Sequence, residues 1–140
     1  MKVLVCGGRE FHNYWLVDHM LTMVDQKTPI TTVIHGDARG ADTLADKWGR
    51  EYKKDILPFP ADWEKHGKAA GPIRNSEMLL QARPDIVVAF PGGSGTADMI
   101  KKSIKAGVEV YQVFSTGSLE EAIKWSHIKD GVIIEVGLIS

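Results

Sequence analysis

The stretch Asp85-Ile86-Val87-Val88-Ala89-Phe90-Pro91-Gly92-Gly93-Ser94-Gly95-Thr96 indicates the fold of this chain more clearly than any other. Its apolar first half is typical of a buried strand, and a helical pattern over 97–106 follows it. A strand that runs into a glycine-rich turn and a helix leaves free backbone N–H groups at the helix N-terminus, which suits phosphate or another anion. Glycines in such a turn permit φ > 0 and let a ligand approach the backbone. We therefore expect a nucleotide-like ligand at Gly92, Gly93, Ser94, Gly95 and Thr96.

The alternation of apolar runs and helical patterns extends along most of the chain. Strands are predicted at 3–5, 32–34, 56–59, 85–89 and 108–113, and helices at 12–26, 41–52, 72–83 and 95–106. Residues 60–71 are interpreted as a polar loop, and Pro58 marks a strand end or a sheet edge. Apolar strands separated by helices predict an α/β fold, a Rossmann-like three-layer sandwich with a mainly parallel sheet in the order 3-2-1-4-5.

The C-terminal region is expected to extend this sheet. Residues 1–140 are predicted to form a single domain, with a core over 2–113 and an extension over 114–140. A capping-box pattern at 118–121 predicts a helix to about Ile128. Residues 131–136 are then either a sixth strand or a segment that pairs with another subunit.

Composition narrows the classes of function. The 140 residues carry a net charge of −1 with both signs interspersed, so nucleic-acid binding through a broad basic surface is not expected. No apolar run is long enough for a membrane span, and a cytoplasmic protein is expected. The single Cys6 excludes an internal disulfide and is interpreted as a small buried residue. The spacing of His35 and His66 indicates no metal site, and Met20 and Trp48 are expected in the core.

Three glycine-rich loops are expected to meet at one edge of the predicted sheet. They follow strands 1, 2 and 4, and the first two read Gly7-Gly8-Arg9-Glu10 and Gly36-Asp37-Ala38-Arg39-Gly40. In an open parallel sheet ligands bind where the strand order reverses, here between strands 1 and 4. Asp37 is a candidate acceptor for ribose hydroxyl groups. Asp42 is interpreted as a partner of the helix dipole.

The placement of three arginines strengthens the expectation of an anion. Arg9 and Arg39 precede helix starts and Arg74 lies in a first turn, where a cation opposes the helix dipole at a cost of roughly 0.3–1 kcal/mol. A bound phosphate would offset that cost because guanidinium groups hold it bidentately. The alternative is that each arginine pairs with a nearby carboxylate: Glu10, Asp37 or Glu77. Trp63 either stacks on a base or covers the edge of the core.

Five motifs follow one another in order between about residues 2 and 113: Cys6-Gly7-Gly8-Arg9-Glu10-Phe11, His35-Gly36-Asp37-Ala38-Arg39-Gly40-Ala41-Asp42, Phe59-Pro60-Ala61-Asp62-Trp63, Gly71-Pro72-Ile73-Arg74-Asn75 and Phe90-Pro91-Gly92-Gly93-Ser94-Gly95-Thr96-Ala97-Asp98-Met99. They resemble the motifs of the YspA/YpsA-related branch of the SLOG superfamily. That resemblance implies a Rossmann-like fold and a nucleotide or nucleotide-derived ligand, with Asn75 among the binding residues. The superfamily includes the Lonely Guy phosphoribohydrolases and the DprA DNA-processing proteins. Because the Lonely Guy enzymes are commonly dimers, the resemblance also implies a homo-oligomer.

The comparison with the Lonely Guy motif PGGxGTxxE leaves the reaction open. Met99 stands where that family has its glutamate, and the adjacent Asp98 is rotated by about 100° on a helix. Arg74 matches the family's upstream arginine, and Glu77 lies on the same helical face, so these two are the candidate catalytic residues. We expect a sensor or binding domain, with an N-glycosidase acting on nucleoside monophosphates as the alternative. No cofactor is required, although Mg²⁺ would accompany a polyphosphate.

Overall fold

The computed structural model describes residues 1–114 and 123–139. Its strands are β1 (Lys2–Cys6), β2 (Thr32–His35), β3 (Asp55–Pro58), β4 (Ile86–Ala89), β5 (Glu109–Phe114), β6 (Ile123–Lys129) and β7 (Val132–Ile139). Its helices are α1 (Tyr14–Lys27), α2 (Ala41–Glu51), α3 (Trp63–His66), α4 (Ala70–Glu77) and α5 (Ser94–Lys105). A 3-10 turn (Gly67–Ala69) joins α3 to α4, and a π-helical turn (Met78–Ala82) follows α4.

The strands form one sheet in the order β3-β2-β1-β4-β5-β6-β7. β1 to β5 are parallel, and the predicted order 3-2-1-4-5 is confirmed. Val3 in β1 is paired with Val33 in β2 and with Ile86 in β4, so β1 is central to the parallel part. β3 lies at one edge and ends at Pro58, as the sequence predicts, because proline has no N–H to continue a ladder.

Two hydrophobic cores lie on opposite faces of the sheet. One contains Met20 of α1 and Trp48 of α2, both completely buried as predicted. The other contains the completely buried Met99 of α5 together with Met78, which follows α4. Right-handed crossovers place α1 and α2 on one face and α4 and α5 on the other, which gives the predicted three layers. The Cys6 thiol is free and buried in the core that contains Met99.

The predicted C-terminal helix is wrong over residues 123–128. They belong to β6, which pairs antiparallel with β5 and β7. Ile123 and Trp125 alternate with polar residues and face the core that contains Trp48, so a period of two outweighs the capping-box pattern. The start of that helix, at 118–122, lies outside the described residues. Of the two interpretations of 131–136, the strand is confirmed, although it is the seventh strand, β7, and not the sixth.

The polar segment after β3 is partly helical rather than an open loop. Asp62 begins α3, because its Oδ1 accepts a hydrogen bond from the Lys65 N–H at 3.1 Å. α3 and the 3-10 turn then lead directly into α4, where Pro72 occupies the first turn as predicted. This path brings the side chains of α3 and α4 to the carboxyl edge of the parallel strands.

Candidate functional site

Hydrogen bonds join the three glycine-rich loops at the carboxyl edge of the sheet. The Gly8 N–H donates to the carbonyl oxygen of Pro91 at 2.9 Å, which links the loop after β1 to the loop after β4. The Gly8 carbonyl oxygen accepts from the Ala41 N–H at 3.1 Å, which links it to the start of α2. These contacts lie where β1 is flanked by β2 and β4, the point at which strand order reverses.

The glycines of these loops are needed mainly for close packing, not for positive φ. A β-carbon on Gly7 would lie 2.6 Å from the Ala41 β-carbon, and one on Gly8 would lie 3.0 Å from the Pro91 carbonyl oxygen. A β-carbon on Gly92 would lie 2.7 Å from the Gly8 nitrogen. Most of them do not use the positive φ that glycine permits, and backbones approach each other there instead. Among the predicted site glycines only Gly40, with φ 82°, has that conformation.

The N-terminus of α5 is open to solvent. Gly93 is its N-cap and supplies no side-chain hydrogen bond to the first turn. Ser94 and Gly95 are exposed, and β-carbons added to Gly93 or Gly95 would meet no atom within 4 Å. The first N–H groups of a helix have no partner within it. The Thr96 side chain, in contrast, is buried. The backbone of this turn is therefore accessible to a ligand.

Arg74 extends from α4 to the end of β2. Its Nη1 donates to the carbonyl oxygen of Gly36 at 2.5 Å, and its guanidinium occupies the space where a Gly36 β-carbon would stand. Among the described residues, no carboxylate lies within ion-pair distance of Arg74. The alternative in which Arg74 pairs with Glu77 is thus not what the structure shows. The guanidinium is held by neutral oxygens and retains its charge for another group.

Asn75 joins α4 to the first turn of α5. Its Nδ2 lies 3.1 Å from both the Gly95 carbonyl oxygen and Asp98 Oδ2, and its Oδ1 accepts from Arg74 Nε at 3.3 Å. The side chain is buried and these contacts occupy its amide. Asn75 therefore links Arg74 to the first turn of α5, and its direct contact with a ligand stays a prediction.

Two buried polar side chains, His35 and Asp42, accept hydrogen bonds from the backbone of the loop between β2 and α2. The Asp37 N–H donates to His35 Nδ1 at 2.9 Å, and the opposite ring nitrogen, Nε2, lies 2.8 Å from Asp46 Oδ2, an arrangement that suits a ring proton on Nε2. Asp42 accepts from the Ala38 N–H at 3.2 Å, and burial raises the pKa of its carboxyl. Asp37 itself is exposed in a left-handed conformation with φ 54°. Its carboxylate is free to meet a ligand.

Arg9 and Arg39 differ in their surroundings. The Arg39 guanidinium pairs with Glu10 Oε1 at 2.6 Å, so the carboxylate alternative holds for this arginine. Arg9 lies with its guanidinium carbon 5.1 Å from the centre of the Trp63 ring. Trp63 remains 47% exposed, and its ring edge also lies close to Gly71. The indole therefore stands at the rim of the site with surface left for a planar group.

A polar cavity of about 260 Å³ lies beside Arg74, between α3 and α4. Asp62, His66 and Glu77 line it together with Arg74, so the two predicted catalytic residues do share one cavity. Met99, in the position of the Lonely Guy glutamate, is completely buried in the core and contributes nothing to this surface. Burial also raises the pKa of the Cys6 thiol, so that thiol is unsuited to nucleophilic attack.

Sequence reasoning missed the supporting residues of the site. The buried His35 and the half-buried Asp46 form a hydrogen-bonded pair beneath Asp37, but they lie eleven positions apart and no periodicity connects them. The one available signal was His35 itself, a polar residue at the end of an apolar strand. A buried polar group of this kind needs partners, and those partners fix the loop above it.

Comparison with known proteins agrees with the sequence motifs. The model of the YspA, cpYpsA-related SLOG family matches residues 1–66, which contain the loops after β1, β2 and β3. The Gene 61 protein of Mycobacterium phage D29 is 38% identical over 117 residues, a match that covers 78% of this chain and 93% of that protein. This chain belongs to the YspA, cpYpsA-related SLOG family.

Solved structures similar to this SLOG-family chain establish the Rossmann-like fold and no more. Phosphoribosylglycinamide formyltransferase from Campylobacter jejuni has a TM-score of 0.51 and 9% identity, with coverage of 100% of this chain and 83% of the enzyme. Glycinamide ribonucleotide transformylase 1 from Symbiobacterium toebii has a TM-score of 0.50 and 13% identity, with coverage of 99% and 73%. PaaA has a TM-score of 0.51 and 13% identity, and this chain spans 44% of its length. Within residues 1–114 and 123–139, no helix has the length and hydropathy that crossing a membrane requires.

Proposed function

We propose that this SLOG-family chain binds a nucleotide or nucleotide-derived phosphate ligand at the carboxyl edge of its sheet, as a sensor or binding domain. One observation carries the proposal: Asn75 is hydrogen-bonded both to the Arg74 guanidinium and to the Gly95 carbonyl oxygen in the open first turn of α5. A guanidinium and uncapped backbone N–H groups side by side provide the two kinds of donor that phosphate oxygens accept. Members of the SLOG superfamily, which the motifs of this chain resemble, generally bind nucleotides or nucleotide-derived ligands.

The positive charge of Arg74, which has no ion-pair partner among the described residues, favours binding of an anion. Arg74 donates to the neutral oxygens of Gly36 and Asn75. Asp42, Asp62 and Glu77 lie in its surroundings without an ion pair to it, and burial raises the pKa of the Asp42 carboxyl. A phosphate beside Arg74 would supply the ion pair that no described carboxylate makes with it. Its oxygens would lie within reach of the N–H groups of Ser94 and Gly95.

The other parts of a nucleotide match neighbouring side chains. The exposed Asp37 carboxylate lies at the start of the adjacent loop and is suited to accept ribose hydroxyl hydrogen bonds. The exposed face of Trp63 provides a surface on which a base stacks. A ligand with two or more phosphates would bring Mg²⁺ with it, since that ion binds through phosphates and water without a full protein cage.

The proposal is tested by incubating the purified protein with a mixture of AMP, NAD and ADP-ribose. Mass spectrometry of the retained and free fractions identifies any ligand. We expect one intact nucleotide in the retained fraction of the wild type, and an at least 10-fold lower retention by Arg74→Ala, because hydrogen bonds to charged groups are worth about 1.5–3 kcal/mol.

Lys105→Ala is the matched control. It also removes one positive charge, but it lies in the last turn of α5, away from the open first turn. Its retention of the nucleotide should equal that of the wild type. Equal losses for both variants would show a nonspecific charge effect, and no retention of any phosphate-bearing compound by the wild type would overturn the proposal.

A second candidate function, hydrolysis of the N-glycosidic bond of a nucleotide, is favoured by the cavity that Glu77 and Arg74 share. Such a reaction needs a carboxylate to stabilise an oxocarbenium-like transition state or to activate water. Glu77 is the exposed carboxylate on the helix that carries Arg74. The candidate differs from the Lonely Guy enzymes, in which the glutamate occupies the position of Met99.

Free base and ribose phosphate released in equal amounts from AMP would establish this hydrolysis. Glu77→Gln should then lose nearly all turnover while it still retains the nucleotide, because the amide neither carries a charge nor activates water. Undiminished turnover in Glu77→Gln would remove this residue from the mechanism.

A further inference from the structure

His35 is a buried histidine beneath a strained residue of the candidate site. It is 1% exposed, whereas the other histidines of the chain are half-buried or exposed. Asp37, two residues later, has φ 54°, a left-handed conformation that its surroundings must hold in place. Residues strained in this way cluster at ligand-binding and switch positions. The contacts of His35 therefore bear on the position of the Asp37 carboxylate.

One peptide group joins His35 to Arg74. The N–H of the peptide between Gly36 and Asp37 donates to His35 Nδ1 at 2.9 Å, and its carbonyl oxygen accepts from Arg74 Nη1 at 2.5 Å. A peptide group is planar, so its N–H and its carbonyl oxygen turn together. Any change that turns the N–H away from His35 therefore also withdraws the oxygen from Arg74.

This arrangement requires a neutral imidazole. A ring nitrogen that accepts a hydrogen bond carries no proton, whereas protonated histidine donates from both nitrogens. A proton on Nδ1 would face the Asp37 N–H, and two donors form no hydrogen bond with each other. The ring is fixed on its other side, because Nε2 lies 2.8 Å from Asp46 Oδ2 and Arg50 holds the same carboxylate. The peptide group must therefore turn.

We propose that neutral His35 is a positioning residue of the nucleotide site, and that a proton on its Nδ1 weakens binding by turning the peptide between Gly36 and Asp37. The inference rests on the proposed function, in which Arg74 binds a phosphate and Asp37 a ribose. Turning the peptide displaces Asp37, which carries the N–H, and removes the acceptor that holds Arg74. Both contacts with the ligand are then weakened together.

Charged side chains around His35 belong to three parts of the chain. They are Asp37 in the loop, Asp42, Asp46, Lys47, Arg50 and Glu51 on α2, and Arg74 on α4. The carboxylates favour a charged ring and the cations oppose it. Asp42 also acts on this loop, because it accepts from the Ala38 N–H at 3.2 Å and burial raises the pKa of its carboxyl. A test must therefore separate His35 from Asp42.

Affinity for a nucleotide should be highest while His35 is neutral. Histidine ordinarily changes its charge between about pH 8 and pH 5, so binding should weaken as the pH falls through this range. His66, which lines the cavity beside Arg74, would have the opposite effect, because a proton on it adds positive charge that attracts an anion. Weaker binding in acid is thus the distinctive result for His35.

Titration calorimetry with ADP-ribose at pH 8 and pH 5.5 measures this effect. ADP-ribose contains no phosphate monoester, so its charge stays constant in this range. The wild type should bind about 10-fold more weakly at pH 5.5, because a buried donor without its acceptor is costly.

His35→Asn is the matched variant. The asparagine side-chain oxygen stands as many bonds from the backbone as Nδ1, so it can accept from the Asp37 N–H, but it does not titrate. This variant keeps Asp42 and should bind ADP-ribose equally well at both pH values. His35→Ala, which has no acceptor, should bind weakly at both. An equal loss of affinity in acid for the wild type and His35→Asn would overturn the proposal.

The ligand-free protein separates this inference from the proposed nucleotide site. In ¹⁵N-labelled wild type, the amide signal of Asp37 should shift between pH 8 and pH 5.5 together with the ring signals of His35. In His35→Asn it should stay constant. Absence of ADP-ribose binding at both pH values would count against the proposed function, while the Asp37 signal would still decide on the coupling. An Asp37 amide that does not respond to pH in the wild type would overturn the inference, even if ADP-ribose binds.

Discussion

The guanidinium of Arg74 fills the space in which a β-carbon on Gly36 would stand. Gly36 lies at the end of β2 and Arg74 on α4, thirty-eight residues later, so the relationship joins two halves of the chain at one edge of the sheet. Because Gly36 has no side chain, the Arg74 guanidinium packs directly against its backbone. Binding of an anion and packing of the loop depend on the same contact.

Gly36→Ala should therefore displace Arg74 and weaken nucleotide binding. The added methyl group forces a rearrangement that costs about 1–3 kcal/mol of the free energy of unfolding. Affinity for the retained nucleotide should fall at least 10-fold. Chemical denaturation and titration calorimetry measure the two effects. Unchanged affinity in a folded Gly36→Ala protein would show that the position of Arg74 is irrelevant to binding.

Gly95→Ala should separate stability from binding. An added β-carbon meets no protein atom, and alanine favours the helix by about 0.5–1 kcal/mol relative to glycine. The free energy of unfolding should therefore rise slightly. Nucleotide affinity should fall, because the methyl group points into the space that the ligand would occupy at the start of α5. Gly107→Ala, in a turn after α5, is the control for an effect of a methyl group alone. Because Gly107 has φ 75°, this variant should be less stable than the wild type, but its nucleotide affinity should be unchanged. A Gly95→Ala variant that is more stable and binds equally well would exclude a ligand at this turn.

Trp63→Ala should reduce binding of nucleotides more than binding of the sugar phosphate alone. Stacking of a base on an aromatic side chain is worth about 1–3 kcal/mol, which is roughly a 5- to 150-fold change in affinity. Ribose 5-phosphate, which has no base, should bind wild type and variant equally. Calorimetry with both compounds makes the comparison. Equal losses for the two compounds would mean that Trp63 supports the loop instead of contacting a base.

The stability of the fold should decrease in mild acid because of His127. Its ring stacks on Tyr111 with centroids 4.0 Å apart, and its Nε2 is buried without a hydrogen-bond partner among the described residues. Burial lowers the pKa of His127 below its ordinary value of 6.5, although Glu109 opposes the shift. The unfolded chain then binds a proton first as the pH falls. The contribution to stability is present above about pH 6.5 and is lost below it.

His127→Phe is the matched comparison for this effect, since it keeps an aromatic ring against Tyr111 and removes the titrating nitrogen. Denaturation between pH 7 and pH 5 should show a smaller loss of unfolding free energy in the variant. The same pH dependence in both proteins would assign it to other groups.

The parallel part of the fold could be predicted from the sequence because its signals are local. Each buried strand is an apolar run, each helix shows its own period, and the handedness of crossovers then limits the strand order. The C-terminal hairpin could not be predicted in the same way. Residues 123–128 carry both a preceding capping pattern and an alternation of apolar residues, and pairing with β5 decides between them.

The site could be predicted in position but not in detail. The meeting of the loops follows from topology, whereas the roles of their residues follow from contacts between distant segments. Asn75 binds Gly95 across two helices, and Arg39 pairs with Glu10 across two loops. Such pairs leave no periodic pattern in the chain, so sequence reasoning could not separate a positioning residue from one that contacts a ligand.

The most direct measurement of the central proposal is a titration of the ¹⁵N-labelled protein with ADP-ribose, followed by amide chemical shifts. Binding at the switch point predicts the largest shifts at the N–H groups of Gly8, Ser94 and Gly95, and no such shifts in Arg74→Ala. Shifts confined to the far end of the sheet, or none at millimolar ADP-ribose, AMP and NAD, would contradict a nucleotide site at the start of α5.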